Sequence, residues 1–205
     1  MLLKVNPDNP QVRFVRRAAD VLRDGGVLIY PTDTTYGIGC DLFNKKAIER
    51  VYRIKEAEPD KPLSFICADL KDLSEYASGV SRYAYQTMRR LLPGPYTFVL
   101  KASRLVPKIM ISRQKTVGIR IPDNRICLDI VREFGHPIIN TSVSSPKDEV
   151  LSDPEQIHAQ YGKIVDLVID GGILLSDLSS VVDLSGEVPI VIREGKGDVR
   201  YFLGE

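Results

Sequence analysis

The chain has 205 residues, 43% of them hydrophobic, and a formal net charge of +1. This length suits one domain that buries most of its apolar surface and is short for two independent ones, so residues 1–205 are expected to form a single domain. The start, MLLKVNPDNP, lacks the basic segment and apolar run of a signal peptide. No apolar run approaches the roughly 18 residues needed to span a bilayer. We therefore expect a soluble, cytoplasmic protein with no membrane partner.

Helices and strands are predicted to alternate along the chain. A helix is expected from Asn9 and Pro10 to Gly25, and the apolar segment VLIY after it predicts a buried strand. A second strand is predicted at YGIGC, followed by a helix that Asn44 caps and that ends before Pro59. The later predicted elements are, in order, strand LSFIC, helix SRYAYQTMRRLL, strands YTFVLKA and TVGIRIP, helix CLDIVREF, strand PIINTSV, a helix from Asp153 to Tyr161, and strands VDLVID, SVVDLS and VPIVIRE. This irregular alternation predicts an α/β fold with a mixed sheet.

The cysteines and histidines do not form a recognisable metal-binding pattern. Cys40, Cys67 and Cys127 are far apart and include no C-x-x-C pair. We expect no structural metal and interpret the three thiols as small buried hydrophobic groups. His136, in FGHPI, is more typical of a turn than of a catalytic centre, so covalent catalysis is disfavoured.

Several predicted strands end in short polar segments. Tyr30 leads into PTDTT, Ile121 into PDN, Ile139 into NTSVSS and Ile192 into REGKG. In α/β sheets ligands collect where such strand ends converge, so we expect these loops to form one cleft, with the threonine turn as a wall. Hydroxyls and arginines of this kind hold anions and stabilise developing charge without a protein nucleophile.

Two glycine motifs invite a phosphate-binding interpretation. The G-I-G at 37–39 fails as a dinucleotide fingerprint, because Leu42 occupies the third glycine position and strand-like residues follow. The segment REGKGD at 193–198 lacks the Walker spacing. Its backbone N–H groups could cradle a phosphate, while a plain turn is the simpler alternative.

Charge is unevenly distributed along the chain. Residues 81–133 carry eleven Lys or Arg against three Asp or Glu, and residues 147–183 carry two against eight. This division predicts a surface that attracts phosphates or nucleic acid. The alternative is that these charges lie on ordinary solvated faces of separate helices.

Seven motifs together resemble the YrdC/YciO family. They are, in the family's order, YPTDTTYGIGCD, YRIKEAEPDKPL, LLPGPYTFVLKA, VGIRIPDN, PIINTSVSS, SSVVDLSG and VIREGKGD. The resemblance covers nearly the whole chain and implies an α/β fold in which helices flank a twisted mixed sheet around a basic concave cleft. It also implies the activity of threonylcarbamoyl-AMP synthases, which join threonine, bicarbonate and ATP and release pyrophosphate in the first step of threonylcarbamoyladenosine modification of tRNA.

The resemblance assigns roles to particular positions. Lys55 is the implied catalytic residue. ATP is the implied substrate, accompanied by Mg²⁺. The implied nucleotide-binding residues are Lys55, Thr97, Arg120, Ser142, Ser180 and Arg193, and the implied substrate-binding residues are Thr32, Thr34 and Tyr36.

Three positions depart from the synthase pattern. The K-x-R motif ends in Ala57, the S-x-N motif ends in Ser144, and Ile66 replaces the histidine of P-L-x-x-H. These departures resemble the YciO branch of the family. An alanine cannot supply the guanidinium fork with which arginine grips a carboxylate or phosphate, so the second substrate is left open.

Two hypotheses from different classes therefore stand. The first is an ATP-using synthase with weak activity or an altered second substrate. The second is a module without synthase catalysis that binds double-stranded RNA or tRNA through the basic segment, with Arg89, Arg90 and Lys108 as the contact residues. The sequence lacks closely spaced aromatic platforms, which disfavours recognition of single-stranded loops.

Overall fold

The computed structural model describes residues 1–56, 63–145, 149–175 and 177–203. Within these ranges the strands are β1 (Leu2–Lys4), β2 (Leu28–Tyr30), β3 (Gly37–Gly39), β4 (Ser64–Ile66), β5 (Tyr96–Lys101), β6 (Thr116–Arg120), β7 (Ile138–Ser142), β8 (Leu167–Asp170), β9 (Ser180–Asp183) and β10 (Ile190–Arg193). The helices are α1 (Val12–Arg23), α2 (Lys45–Ile54), α3 (Leu70–Tyr76), α4 (Arg82–Leu91), α5 (Arg125–Phe134), α6 (Pro154–Tyr161) and α7 (Arg200–Leu203), with a single 3₁₀ turn at Lys108–Met110 in the same ranges.

The ten strands form one sheet in the order β1-β8-β2-β3-β7-β4-β6-β5-β9-β10. The pairs β1–β8, β2–β8, β4–β6 and β5–β9 are parallel, and the other neighbours are antiparallel. The predicted α/β fold with a mixed sheet is therefore confirmed. No helix in the described parts of the chain is long and apolar enough to cross a membrane.

The first helix begins later than its sequence predicts. Its N-cap is Gln11 and its first residue is Val12, whereas Asn9 and Pro10 were expected in those positions. The Asn6 side chain accepts hydrogen bonds from the backbone N–H groups of residues 8 and 9, which holds this stretch in a turn. The buried face of α1 then follows the expected helical spacing, with Val15, Ala18, Ala19 and Leu22 in the core.

Side-chain caps fix the starts of several helices. Asn44 accepts from the Ala47 N–H at the start of α2, as predicted, and Asp153 accepts from the Glu155 N–H at the start of α6. Asn124 accepts in the same way from Cys127 and starts α5 directly after the PDN exit of β6. These caps set where each helix leaves the sheet and therefore where the connecting loops lie.

Helices cover only part of one sheet face. On that face α1 and α5 pack against Leu28, Ile66 and Ile138, among other apolar residues. Because side chains alternate along a strand, Ser64 on β4 and Asn140 on β7 share this face with Ile66 and Ile138. From there toward β6, β5 and β9 the face carries small and polar side chains and opens into a cavity.

Candidate functional site: a cleft on the uncovered sheet face

The cavity has a volume of about 330 Å³ and is lined by both apolar and polar groups. Gly118 of β6 forms part of its floor. A Cβ atom there would lie 3.2 Å from both Ser64 Cβ and Thr97 Cγ2, so a larger residue would crowd the floor. The other lining residues are Leu63, Ser64, Thr97, Val99, Ser112, Gln114, Thr116, Val117, Arg120, Asn140, Thr141, Ser142, Ser179, Val181, Asp183, Ile192 and Arg193.

The threonine turn between β2 and β3 lies beside this cavity and is held by its own hydroxyls. Thr32 Oγ1 donates to the Thr35 carbonyl at 2.6 Å and accepts from the backbone N–H groups of Thr34 and Thr35. Thr32 and Thr34 are almost fully buried. Their hydroxyls therefore build a rigid turn, and the lining of the cavity comes from other residues.

The turn fixes Arg120, the last residue of β6. One guanidinium nitrogen, Nη2, donates to both Asp33 Oδ1 and Thr34 Oγ1 at 2.9 Å. The Arg120 side chain is 3% exposed, and its Nε and Asp33 Oδ2 have no hydrogen-bond partner within the described ranges. The structure thus presents a buried cation to the cleft with part of its hydrogen-bonding capacity unused.

A second guanidinium faces the same cleft. Arg193, at the end of β10, donates from Nε and Nη2 to the Ser179 carbonyl at 3.0 and 2.9 Å. Ser179 Oγ in turn lies 2.9 Å from Thr97 Oγ1. Burial, with a smaller contribution from Arg120, lowers the pKa of Arg193 below its usual range. A guanidinium that burial and a second cation disfavour in this way is stabilised by an anion nearby.

Ser142 and Ser180 occupy different kinds of position. Ser142 Oγ lines the cavity and lies 3.4 Å from Thr35 Oγ1, which links β7 to the threonine turn. Ser180 is fully buried, with its Oγ donating to the Gly197 carbonyl and accepting from the Gly195 N–H. Ser180 thus anchors the REGKG loop from the side of the sheet that faces away from the cleft, while the neighbouring Ser179 presents its hydroxyl to the cleft.

The REGKG loop is pinned at several points. Gly197 packs against the Tyr96 ring, and the Lys196 backbone N–H donates to the Leu178 carbonyl at 2.8 Å. Lys196 Nζ donates to the Asp33 carbonyl at 2.6 Å, so this loop and the threonine turn touch. The exits after β2, β6, β7 and β10 lie close together, as expected, but only the segments after Ile139 and Ile192 contribute residues to the cavity lining.

Tyrosines explain the G-I-G segment. The Tyr30 ring lies over Gly37 and Gly39, and its hydroxyl donates toward the Ile139 carbonyl at 3.0 Å. A Cβ atom on Gly39 would meet that ring at 2.7 Å, so the glycines serve packing. Tyr36 is fully buried and its hydroxyl donates to the Gly172 carbonyl at 2.7 Å, which places it inside the protein rather than in the cavity lining.

Lys55 lines a separate cavity of about 360 Å³ next to the C-terminal end of β7. Its Nζ donates to Ser144 Oγ at 2.6 Å, and the Tyr161 hydroxyl donates to the Ser144 carbonyl. Ser144 follows Ser142 by two residues along the chain, so both cavities include residues at the C-terminal end of β7 or just after it. The structure therefore brings Lys55 to the neighbourhood of the cleft, beside the position where the synthase pattern has asparagine.

The other two departures lie elsewhere. Ile66 is fully buried in the core under α1 and α5, packed with residues such as Ile126 and Ile130, and does not line the cleft. Ala57 lies outside the described residues. Of the three departures, only Ser144 can be related to a cavity.

The three basic residues assigned to RNA are exposed but have different neighbours. Arg89 and Arg90 lie in the last turn of α4, where the Arg90 guanidinium sits 5.3 Å from the Tyr201 ring centroid. Lys108 lines a shallow cavity with Phe43 and Lys45. None of the three lines the cleft that contains Arg120.

The thiols and the histidine behave as ordinary structural groups. Cys40, Cys67 and Cys127 are free and buried, and burial raises the pKa of each thiol. His136 packs against Phe134 with ring centroids 4.2 Å apart and lies 3.6 Å from Asp41 Oδ1. Within the described ranges no three His, Cys, Asp or Glu residues are grouped so that they could hold a metal ion.

Comparison with known proteins agrees with this architecture. The sequence matches the Sua5, YciO and YrdC family, described as "Telomere recombination", over residues 20–195. The chain belongs to this family. It is 41% identical over 201 residues to the "Uncharacterized protein YciO" of Escherichia coli K12, covering 97% of each chain. The crystal structure of E. coli YciO matches with a TM-score of 0.94, covering 98% of each chain at 39% identity.

The relation to synthases is more distant but extends over most of the chain. The chain is 32% identical over 183 residues to the "Threonylcarbamoyl-AMP synthase" of Pyrococcus abyssi, covering 88% of this chain and 54% of the relative. The crystal structure of P. abyssi Sua5 complexed with L-threonine matches with a TM-score of 0.92 at 26% identity, covering 98% of this chain and 59% of the other. The predicted family, with its nearer likeness to YciO, is confirmed.

Proposed function

We propose that the chain binds ATP in the cleft and acts as a threonylcarbamoyl-AMP synthase-like nucleotidyltransferase with weak activity or an altered second substrate. The observation that carries this proposal is the pair of guanidiniums, Arg120 and Arg193, that face one cavity. Arg120 is held rigidly by the threonine turn and lines the cavity. A triphosphate supplies the charge and the acceptors that such a pair favours.

The proposed chemistry needs no protein nucleophile. In a synthase of this kind a carbamate carboxylate attacks the α-phosphorus of ATP, the bond to the pyrophosphate breaks, and pyrophosphate leaves with its electron pair. Fixed cations along the phosphates stabilise the charge that spreads over the transferring group. The position of Arg120 and Arg193 on one cavity supports this role for them. The position of Lys55 beside Ser144 supports a role for this lysine where the nucleotide meets the second substrate.

Mg²⁺ is proposed to arrive with the nucleotide. This ion prefers phosphate and water oxygens in octahedral geometry and seldom needs an all-protein cage. Among the described residues, no three His, Cys, Asp or Glu side chains are grouped so that they could hold a metal ion. When bound, it supplies further positive charge to the phosphates, while the guanidiniums orient them.

The second substrate is proposed to be threonine or a related small carboxylate. P. abyssi Sua5 has been crystallised with L-threonine, and this chain shares its fold. Ser144 and Ile66 stand where the synthase pattern has asparagine and histidine, and Ile66 is part of the core. These differences support a second substrate that is bound more weakly or is not threonine.

Calorimetric titration with MgATP tests the nucleotide half of the proposal. Wild type is expected to bind, and Arg193→Ala is expected to bind about tenfold or more weakly, because a charge-assisted hydrogen bond contributes about 1.5–3 kcal/mol. Arg132→Ala, on the exposed face of α5, is the matched control and should bind like wild type. No binding by wild type, or equal binding by Arg193→Ala, would refute the placement.

Binding of double-stranded RNA or tRNA remains a second candidate. The observation that favours it is the exposure of Arg89, Arg90 and Lys108 within the basic segment. Because they lie outside the cleft, RNA binding and ATP binding could occur together. The two candidates are separable by mutation.

A further inference from the structure

The strand register gives the cleft two distinct ends. Arg120 and Thr116 are the two ends of β6, about 13 Å apart at roughly 3.3 Å per residue. The Arg120 end contains both guanidiniums. The Thr116 end contains neutral polar groups, with Ser112 Oγ and Thr116 Oγ1 2.7 Å apart and the Gln114 side chain nearby.

Asp183 lies between these ends. It pairs with Val99 of β5, and Val99 in turn pairs with Gly118 of β6. Strand alternation places Asp183 on the same face as Val181, and both line the cavity. Thr97 lies beside the guanidiniums of Arg120 and Arg193. Asp183 is two residues, or about 7 Å, farther along the strands from that point.

The surroundings of Asp183 suit an uncharged part of a ligand. Gly118, one strand beyond Val99, lines the same cavity and has no side chain to project into it. Val99 and Val181 supply apolar walls. One carboxylate oxygen of Asp183, Oδ1, accepts from the Ser185 N–H at 2.7 Å and so fixes the orientation of the group.

We propose that Asp183 accepts hydrogen bonds from the ribose hydroxyls of the nucleotide and makes the cleft selective for ribonucleotides. This inference rests on the proposed function. With the phosphates at Arg120 and Arg193, the sugar follows at the level of Asp183 and the base extends toward Ser112 and Gln114. A carboxylate in this position would repel phosphate, whereas it can accept hydrogen bonds from two adjacent hydroxyls. Acidic residues bind ribose in this way in dinucleotide sites.

The test is a comparison of ATP with 2′-deoxy-ATP and 3′-deoxy-ATP by calorimetry, for wild type and for Asp183→Asn. Asparagine keeps an oxygen for the Ser185 N–H, so the turn after β9 should be retained, and circular dichroism checks the fold. Wild type is expected to bind ATP about tenfold or more tightly than at least one deoxynucleotide, as for a hydrogen bond to a charged group. Asp183→Asn is expected to reduce this ratio to within about twofold.

The ratio is the informative quantity, because removing any acidic group can raise the affinity for a polyanion. Glu187→Gln, in the exposed turn after β9, removes the same charge outside the cleft and should keep the wild-type ratio. Equal affinities for ATP and both deoxynucleotides in wild type, or an unchanged ratio in Asp183→Asn, would overturn the ribose assignment alone. Failure of wild type to bind ATP would overturn both this inference and the proposed function.

Discussion

Arg120 and Asp33 form a buried ion pair that is satisfied on one side only. Arg120 Nη2 lies 2.9 Å from Asp33 Oδ1, yet Arg120 Nε and Asp33 Oδ2 lack partners among the residues the structure describes. The desolvation cost of a buried pair can equal or exceed its Coulomb attraction, so such a pair adds little stability against an apolar alternative. Here its effect is positional, because it holds the guanidinium at the edge of the cleft.

Removing one member of this pair is expected to destabilise the protein strongly. Arg120→Ala leaves the Asp33 carboxylate buried without its cation, which costs roughly 3–5 kcal/mol of unfolding free energy. Urea unfolding followed by circular dichroism measures this loss. Arg132→Ala, whose pair with Asp129 is solvent-exposed, should lose less than about 1 kcal/mol. Similar losses of unfolding free energy in both variants would mean that the buried pair contributes no more to stability than the exposed one.

Lys55 offers a way to separate catalysis from nucleotide binding. Because Lys55 lines a separate cavity, Lys55→Ala is expected to change ATP affinity little but to lower pyrophosphate release in the presence of threonine and bicarbonate by about a hundredfold or more. Calorimetry and a coupled pyrophosphate assay measure the two effects. Lys46→Ala, exposed on α2, is the control. A loss of ATP affinity as large as that of Arg193→Ala would instead place Lys55 on the phosphates.

RNA binding, if it occurs, should depend on the basic segment and on salt. Reversing Arg89, Arg90 and Lys108 to glutamate is expected to weaken binding to duplex RNA uniformly across sequences and to reduce the salt dependence, because fewer counterions are released. Filter binding at several salt concentrations measures both. Wild-type affinity in the triple variant would show that these side chains are an ordinary solvated face.

The phenol of Tyr76 is expected to make stability fall at alkaline pH. Burial, together with the nearby carboxylates of Glu75 and Asp72, raises the pKa of Tyr76 to about 12, whereas an unfolded tyrosine ionises near 10. Between these values the unfolded chain releases a proton that the folded protein retains, so unfolding becomes easier as pH rises. Urea midpoints from about pH 9 to about pH 11.5 should fall less steeply in Tyr76→Phe. Tyr85→Phe, which alters an exposed ring, should follow wild type.

Much of the fold could be predicted because its long elements have strong local signals. The caps Asn44 and Asp153 and the apolar runs of the central strands were all readable. The short elements β1 and α7 were missed, since three or four residues carry too little periodicity. Helix α3 was also missed, although Asp69 at its start accepts hydrogen bonds from two backbone N–H groups and is a recognisable cap.

The convergence of polar strand ends was predictable from the sequence. Which of their residues line the cleft and which only hold the turns in place was not. The threonines were expected to line a pocket, and the structure buries Thr32 and Thr34 to hold Arg120. Asp33, Ser179 and Asp183 were not singled out. Alternation along SSVVD indicates that the serines face opposite sides, but only the sheet order shows which side is open. The pairing of strands that are distant in sequence therefore decides which side chains face the cleft, and the local sequence pattern does not.

The contact between Lys196 and Asp33 has a consequence for the order of folding. It joins positions 163 residues apart, and loops of that size close late because the chain must lose much conformational freedom first. The threonine turn, β6 and β7 are all made of residues before position 143, so these walls can assemble while the opposite wall is still absent. A chain cut before residue 179 would therefore retain Arg120 and Ser142 but lack Ser179, Asp183 and Arg193, and with them the opposite wall of the cleft. Nucleotide binding would then report on completion of the native structure as much as on affinity.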